Sequence, residues 1–178
     1  MLKTLQPNWG NEPVKQELVD VLNSVGEVAG IATRKEMRLC RLPHRCVYIL
    51  VFNSEGEIFI HLRTATKDIF SSHWDVCAGG VVAAGEDFKM GAHRELQEEL
   101  GVNVEPEFLF PFRYEDELTI VFAEVFRCFH EGPFVLQKEE VVRGEFISLK
   151  RLENLVLTHS FCPDGLQVLQ QAKTLNLV

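Results

Sequence analysis

Gly80, Glu86, Arg94, Glu95, Leu96, Glu98, Glu99, Gly101 and Val102 fall in one short stretch, G-V-V-A-A-G-E-D-F-K-M-G-A-H-R-E-L-Q-E-E-L-G-V over residues 80–102. Asp87 suits an N-cap, the residues after it are mostly good helix formers, and Gly101 suits the position just past a helix end. The spacing therefore predicts a helix over 88–100. At about 100° per residue, with Arg94 at zero, Phe88, Ala92, Leu96 and Leu100 form an apolar stripe from about 120° to 240°. Glu98 then falls near ~40°, Glu95 near ~100° and Glu99 near ~140°, at the stripe's edge where water is thin. Like charges so placed repel one another, more strongly when partly buried. A structural helix gains nothing from this, whereas a divalent cation offsets it. The donors are hard oxygens without His or Cys, which favours Mg²⁺ or Mn²⁺ over Zn²⁺ and is the usual arrangement on phosphate substrates. Glu-rich helix faces are more commonly plain solvated surface; the glycines, Glu86 and Arg94 at their fixed offsets weigh against that here. Gly79-Gly80 lets the backbone approach a ligand closely. Arg94 can fork onto a carboxylate, either Glu86 or one of the metal-binding glutamates.

The elements around this stretch alternate in α/β order. Residues 1–16, with Pro7, Gly10 and Pro13, read as an N-terminal arm, and residues 17–178 as a single domain with a sizeable core. Residues 18–22 and 27–32 are predicted strands around a turn at Ser24-Val25-Gly26, and residues 34–41 a helical turn. Residues 46–52 and 57–62 flank Asn53-Ser54-Glu55-Gly56, which reads as a hairpin. A polar loop runs to His73, and residues 76–82 are predicted as a short strand leading into the acidic stretch. Residues 108–114 and 118–130 read as strands, Val135 opens another, and residues 144–149 form a further one. Residues 163–175 form a second amphipathic helix with Leu166, Leu169 and Ala172 on one face. This order predicts a mixed sheet between helical layers.

Composition removes several rivals. Lys plus Arg total 18 against 26 Asp plus Glu, a net charge of −8 with no basic stripe, so a nucleic-acid duplex is not the expected partner. Cys40, Cys46, Cys77, Cys128 and Cys162 are odd in number and form no CxxC pair. That argues against a disulfide framework or zinc site and for a reducing, cytoplasmic setting. The start lacks a signal-peptide apolar core, and the longest apolar runs, near 46–52 and 118–126, are too short to span a bilayer. No membrane partner is expected.

Residues 80–102 match G-x5-E-x7-R-E-U-x-E-E-x-G-U, with U aliphatic, at every position, and on that pattern the chain resembles the Nudix family. The flanking L-P-H-R-C-V-Y-I-L-V-F-N (42–53), H-L-R-T-A-T-K-D-I-F (61–70) and W-D-V-C-A-G-G (74–80) are similar to its isopentenyl-diphosphate isomerase-like branch. The resemblance implies an α/β/α sandwich with a mixed β-sheet, whose box forms a loop–helix–loop catalytic site. It implies Mg²⁺- or Mn²⁺-dependent hydrolysis of a diphosphate (pyrophosphate) bond in a nucleoside diphosphate derivative or other organic diphosphate. The alternatives are an isopentenyl-diphosphate delta-isomerase-like enzyme and a non-catalytic module that binds a diphosphate ligand. Isomerases of that branch use a cysteine and a histidine-rich metal site. Here the cysteine position is Gly79, the histidine two residues on is Val81, and His44 matches one metal histidine whose partner position is Met37. Cys77, two residues from the cysteine's place, reads as a packed strand residue.

On this reading Glu98 and Glu99, with a backbone carbonyl at Gly79 or Gly80, hold the ion. Glu95 or Glu140 is the general base, and both extend the metal set; Glu140 is placed by the resemblance alone. Arg94 orients the carboxylates, and Arg63 and Lys67 face the phosphates. Gly80, Glu86 and Gly101 are structural parts of the box. His44 is more simply a hydrogen-bonded core or loop histidine, and Trp74 a core residue. Phe112 or Tyr114 is a candidate for stacking on a planar group. The expected partner is a small-molecule diphosphate; small Nudix proteins often pair, so a monomer and a homodimer are both compatible with the resemblance.

Overall fold

The computed structural model describes residues 16–178, so the expected arm, save its last residue, lies outside the described residues. The central strand is β3 (His44–Phe52), the nearly unbroken apolar run C-V-Y-I-L-V-F. Its side chains alternate between faces, as period-2 geometry requires. Cys46, Tyr48, Leu50 and Phe52 enter one core, and Val47, Ile49 and Val51 enter the other. A strand buried on both faces needs apolar residues at every position.

Eight strands form one mixed sheet. The strand β7 (Ile120–Phe129) runs parallel to β3 along its whole length, from His44↔Val121 to Phe52↔Phe129. Beyond it lies β6 (Glu107–Glu115), antiparallel. The hairpin β1 (Leu18–Leu22) and β2 (Val28–Thr33) joins β3 through Val21↔His44. The strand β4 (Ile58–Arg63) pairs with β8 (Val141–Ile147) and the short β5 (Trp74–Asp75).

One face is covered by α2 (Phe88–Leu100), the helix expected over 88–100. Ala92, Leu96 and Leu100 are fully buried and Phe88 packs beside them. Each leucine so buried contributes about 2 kcal/mol relative to exposure. The other face carries α4 (Pro163–Thr174), α3 (Leu149–Leu155) and α1 (Arg34–Leu39), through Val168, Leu169, Ala172, Leu152 and Met37. The result is an α/β/α sandwich.

Four local expectations differ from the structure. The turn at residues 53–56 forms, with Asn53 Oδ1 accepting the Glu55 and Glu57 N–H groups, but its strands pair only at Phe52↔Ile58. They then diverge because β3 takes β7 and β4 takes β8 as partners. Residues 76–82 make isolated bridges, Cys46↔Val81 and Ile49↔Ala78, rather than a strand, because Gly79 at φ +135° breaks the extended run. Val135 opens no strand; its neighbour Phe134 packs against Phe59 and Phe146. The strand expected over 144–149 lies at 141–147, and Ser148 caps the unforeseen α3 by accepting the Arg151 N–H.

Candidate active site

Asp87 and Gly101 fix the ends of α2. The Asp87 carboxylate accepts the Met90 N–H at 2.7 Å, and Gly101 turns the chain at φ +68°. Gly101 has a second role: a Cβ there would stand 2.8 Å from Val135 Cβ. Its absence lets a loop dock on the helix end. The Val135 N–H donates to the Leu100 carbonyl at 2.9 Å and the Gln137 N–H to the Glu99 carbonyl at 3.0 Å. That loop delivers Glu140 to the carboxylates of α2.

The helical rotation sorts those carboxylates. Glu95 and Glu99 turn inward, 7% and 1% exposed, while the Glu98 side chain stays 52% exposed. Glu99 Oε2 accepts the Gly79 N–H at 3.0 Å. Glu140 lies within hydrogen-bonding reach of Glu99 and pairs with Lys67. A Cβ on Gly80 would stand 2.7 Å from Glu95 Oε1, so glycine makes the cradle that receives this carboxylate. Burial pushes Glu95 up to about 7, against the pull of Arg94. Burial, then the Glu95 charge, holds Glu99 well above the ordinary carboxylate range. Burial also raises Glu140, but the Lys67 hydrogen bond and charge outweigh it and leave a lowered value.

Arg94 forks onto Glu86, with Nε to Oε1 at 3.0 Å and Nη2 to Oε2 at 2.9 Å. It also donates to Glu95 at 2.8 Å, Glu98 at 3.0 Å and the Val81 carbonyl at 3.1 Å. Arg94→Met strands Glu86 and Glu95, which are mostly buried. The expected loss is about 2–3 kcal/mol, below that of a fully buried pair because the guanidinium is partly exposed. Arg94→Lys should recover little, since an ammonium cannot fork. Urea denaturation reads both; a loss under about 0.5 kcal/mol would mark the network as ordinary surface.

Among the described residues, no three His, Cys, Asp or Glu side chains form a finished metal cage. Arg94 and Lys67 act as counter-ions to Glu95, Glu98 and Glu140. The donor set nevertheless fits a hard divalent ion. Glu99 is buried against Glu95 and Glu140, and the Gly80 cradle holds a further carboxylate oxygen. Of the two backbone carbonyls expected there, that of Gly80 already accepts the Val47 N–H at 2.9 Å.

These groups border a cavity of about 520 Å³ lined by Glu95, Glu98, Glu140, Lys67, Arg94 and Arg34. A wider, shallower depression of about 700 Å³ on the solvent side of α2 lacks Glu95 and Glu140. Arg34 stands on α1 and pairs with Asp68 at 3.0 Å and Glu17 at 3.2 Å. No sequence signal marks it, because α1 lies far upstream of the box. Arg63, expected at the phosphates, lies outside this cavity, 3.4 Å from Asp75 Oδ2.

The positions matched to isomerase metal ligands are occupied by core. Met37 and Val81 are buried, and His44 Nδ1 lies 2.8 Å from the Leu42 carbonyl, with burial pushing its pKa down to about 4. A Cβ at Gly79 would meet the Val47 carbonyl oxygen at 2.1 Å, so this backbone admits no cysteine at that position. Cys77, Trp74, Phe112 and Tyr114 are buried in the core. Neither of the two candidate stacking rings lines the cavity. All five cysteines are free thiols, and no helix among the described residues is long and apolar enough to cross a membrane.

A family profile described as the NUDIX domain matches residues 42–166. The chain belongs to the Nudix family. It is 38% identical over 161 residues to a Salmonella typhi protein named "Uncharacterized Nudix hydrolase YfcD", covering 90% of this chain and 86% of that one. Its fold is similar to that of DR0079 from Deinococcus radiodurans, with TM-score 0.74, 24% identity, and 87% and 98% of the two chains covered. It is also similar to the NUDIX domain of Shewanella oneidensis NrtR complexed with ADP ribose, with TM-score 0.60, 18% identity, and 75% and 88% covered.

The Nudix carboxylates predict an unusual pH profile of stability. Glu95 and Glu99 have raised values when folded against ~4.3 when unfolded, so the folded chain binds more protons than the unfolded one above that value. Their contribution is complete below the unfolded value and lost as pH rises through the folded one. Burial acts oppositely on His44 and His61, lowered to about 4 and about 3, which cost stability as pH falls below ~6.5. Between ~4.3 and ~6.5 the carboxyls and the imidazoles act against each other, and above ~6.5 only the carboxyl loss remains, so in chelator the melting temperature should fall from pH 6.5 toward pH 8, and Mg²⁺ should flatten that limb. A melting temperature that climbs from pH 6.5 to 8 in chelator would contradict the burial of these carboxylates.

Proposed function

We propose that this Nudix protein hydrolyses the diphosphate linkage of an organic diphosphate with the help of Mg²⁺ or Mn²⁺. The observation that carries this reading is the meeting of Glu95, Glu99 and Glu140, from two separate segments, beside Lys67 and the Gly79-Gly80 bend. Glu98 and Glu99 would hold the cation, with Glu95 and Glu140 completing the acidic set. Such an ion supplies charge neutralisation on the phosphates and lowers the pKa of a water.

Glu95 is the better general base. Its raised value near 7 suits proton transfer at neutral pH, whereas Glu140 is tied to Lys67. Glu95 takes the proton from the attacking water as it adds in line to phosphorus, and the P–O–P bond opens on the far side. Lys67 and Arg34, at the rim of the cavity, steady the departing phosphate. Arg94 keeps the Glu95 and Glu98 carboxylates in place. The ADP ribose held by the NrtR domain is itself an organic diphosphate, which supports this ligand class. An isomerase reading is disfavoured by the Gly79 backbone and by the core residues at the isomerase metal positions.

A panel of nucleoside diphosphate sugars, dinucleotides and prenyl diphosphates, assayed with Mg²⁺ and Mn²⁺ by product mass, tests the proposal. Metal-dependent cleavage of at least one P–O–P bond is expected. Binding of panel members without cleavage under either metal would instead favour a ligand-sensing module.

A further inference from the structure

Behind the Gly79-Gly80 bend lies a second, more enclosed pocket of about 60 Å³, which shares Arg34, Lys67 and Gly80 with the carboxylate cavity. Room for a water needs about 10–15 Å³, so this space holds several waters or one compact polar group. Two arginines that the proposed hydrolysis does not use, Arg38 and Arg63, line it. Their side chains are only 17% and 13% exposed. Both Nε atoms are buried without a hydrogen-bond partner. The bonds that their other nitrogens make are long. Arg38 Nη1 lies 3.3 Å from Thr119 Oγ1 and 3.4 Å from His44 Nε2, and its nearest acid, Asp68, is 3.7 Å from Nε. Arg63 reaches Asp75 Oδ2 and the Ile69 carbonyl at 3.4 Å each. By contrast, Arg94 makes its contacts at 2.8–3.1 Å.

A buried guanidinium with five donors and no short partner is costly, and such under-satisfied groups point to a ligand. The charge of the pocket agrees. Its cationic lining is Arg34, Arg38, Arg63 and Lys67; its carboxyls are Asp75 and Asp164. Burial raises both acids, Asp75 to about 6, so the four cations outnumber carboxyls whose own charge is disfavoured. Asp164 is further occupied by the Tyr48 hydroxyl, which donates to it at 2.8 Å.

We propose that this inner pocket is an oxyanion subsite, where Arg38 and Arg63 bind a phosphate or carboxylate that the substrate carries away from its scissile link. The preferred substrate is then an organic diphosphate bearing a further anionic group. The subsite stands on the two arginines alone; only the identity of its carrier rests on the hydrolase reading.

Two measurements on the full chain separate these layers. Titration calorimetry with inorganic phosphate in chelator should show binding that weakens tenfold or more in Arg38→Met and less in Arg38→Lys. Turnover with Mg²⁺ should then be compared within pairs that differ by one phosphate, NADP⁺ against NAD⁺ and coenzyme A against its 3′-dephospho form. In the wild type, kcat/KM should favour the phosphorylated member of at least one pair by tenfold or more, and Arg38→Met should bring that ratio toward one. Phosphate binding that is absent, or indifferent to Arg38→Met in a folded variant, overturns the subsite. Arg38-dependent binding with equal kcat/KM across both pairs overturns the substrate class and identifies free phosphate as the occupant. Arg38-dependent binding with no cleavage of any diphosphate upholds the subsite and removes the hydrolase reading instead.

Discussion

Glu99→Gln should lower kcat by about a thousandfold, some 4 kcal/mol of barrier, while the variant melts above the wild type. The two effects have one cause. Glu99 is 1% exposed, and its charge is disfavoured by burial and by the neighbouring Glu95. Glutamine keeps an oxygen for the Gly79 N–H, now 3.0 Å from Oε2, and removes the charge. Above pH 7 in chelator the gain should be about 1 kcal/mol, a rise of about 2–4 °C for a chain of this size. Turnover falls because a neutral amide is a far weaker ligand for a hard divalent ion. Glu98→Gln provides the contrast. Its side chain is about half exposed and meets Arg94 at 3.0 Å, so melting should hardly change while turnover still drops by orders of magnitude. Calorimetry in chelator and a metal-dependent phosphate-release assay read both variants. Activity of Glu99→Gln within tenfold of wild type would remove that residue from the metal set.

Gly79→Ala should be the most damaging single substitution for folding. Two independent costs meet there. The backbone sits at φ +135°, a region that side chains rarely enter, and the added Cβ would stand 2.1 Å from the Val47 carbonyl oxygen. Backbone strain of ~1–3 kcal/mol and steric displacement of similar size add to about 4 kcal/mol, a large part of the stability of a typical domain. Val47 belongs to the central strand, so the clash cannot be relieved by moving a flexible side chain. Gly80→Ala differs in kind. Its Cβ meets the far end of Glu95, 2.7 Å from Oε1, and that carboxylate can swing aside. Gly80→Ala should therefore fold and lose activity, and Gly79→Ala should lose the fold. Guanidinium denaturation of both variants tests this; near-wild-type stability of Gly79→Ala would contradict the close approach of the bend to Val47.

Local signals read well wherever a short segment decides its own conformation. Asp87, the apolar stripe and Gly101 define a helix over 88–100, because capping and 3.6-residue periodicity act within one element. The strand over residues 46–52 and the apolar face of α4 were legible for the same reason. Errors cluster where the partner strand is distant in sequence. The hairpin at residues 53–56 opens because β3 and β4 choose β7 and β8, and residues 76–82 break at a glycine whose close neighbour is Val47. The setting of Arg63, against Asp75 in the inner pocket, is likewise a contact between separate segments that no local pattern records.

The amino-acid order alone determined the Nudix box, the helix that carries it and the rotation that turns Glu95 and Glu99 inward, since all of these depend on spacing along one helix. Only the folded chain decided which other groups meet that helix. Glu140 arrives because Gly101 leaves space for Val135, and Arg34 arrives because α1 leans on Asp68 and Glu17. The inner pocket, with its two under-bonded arginines, exists only where α1, β3 and the loop after β4 converge. Contacts of that kind join residues far apart along the chain, and no local pattern of side chains records them.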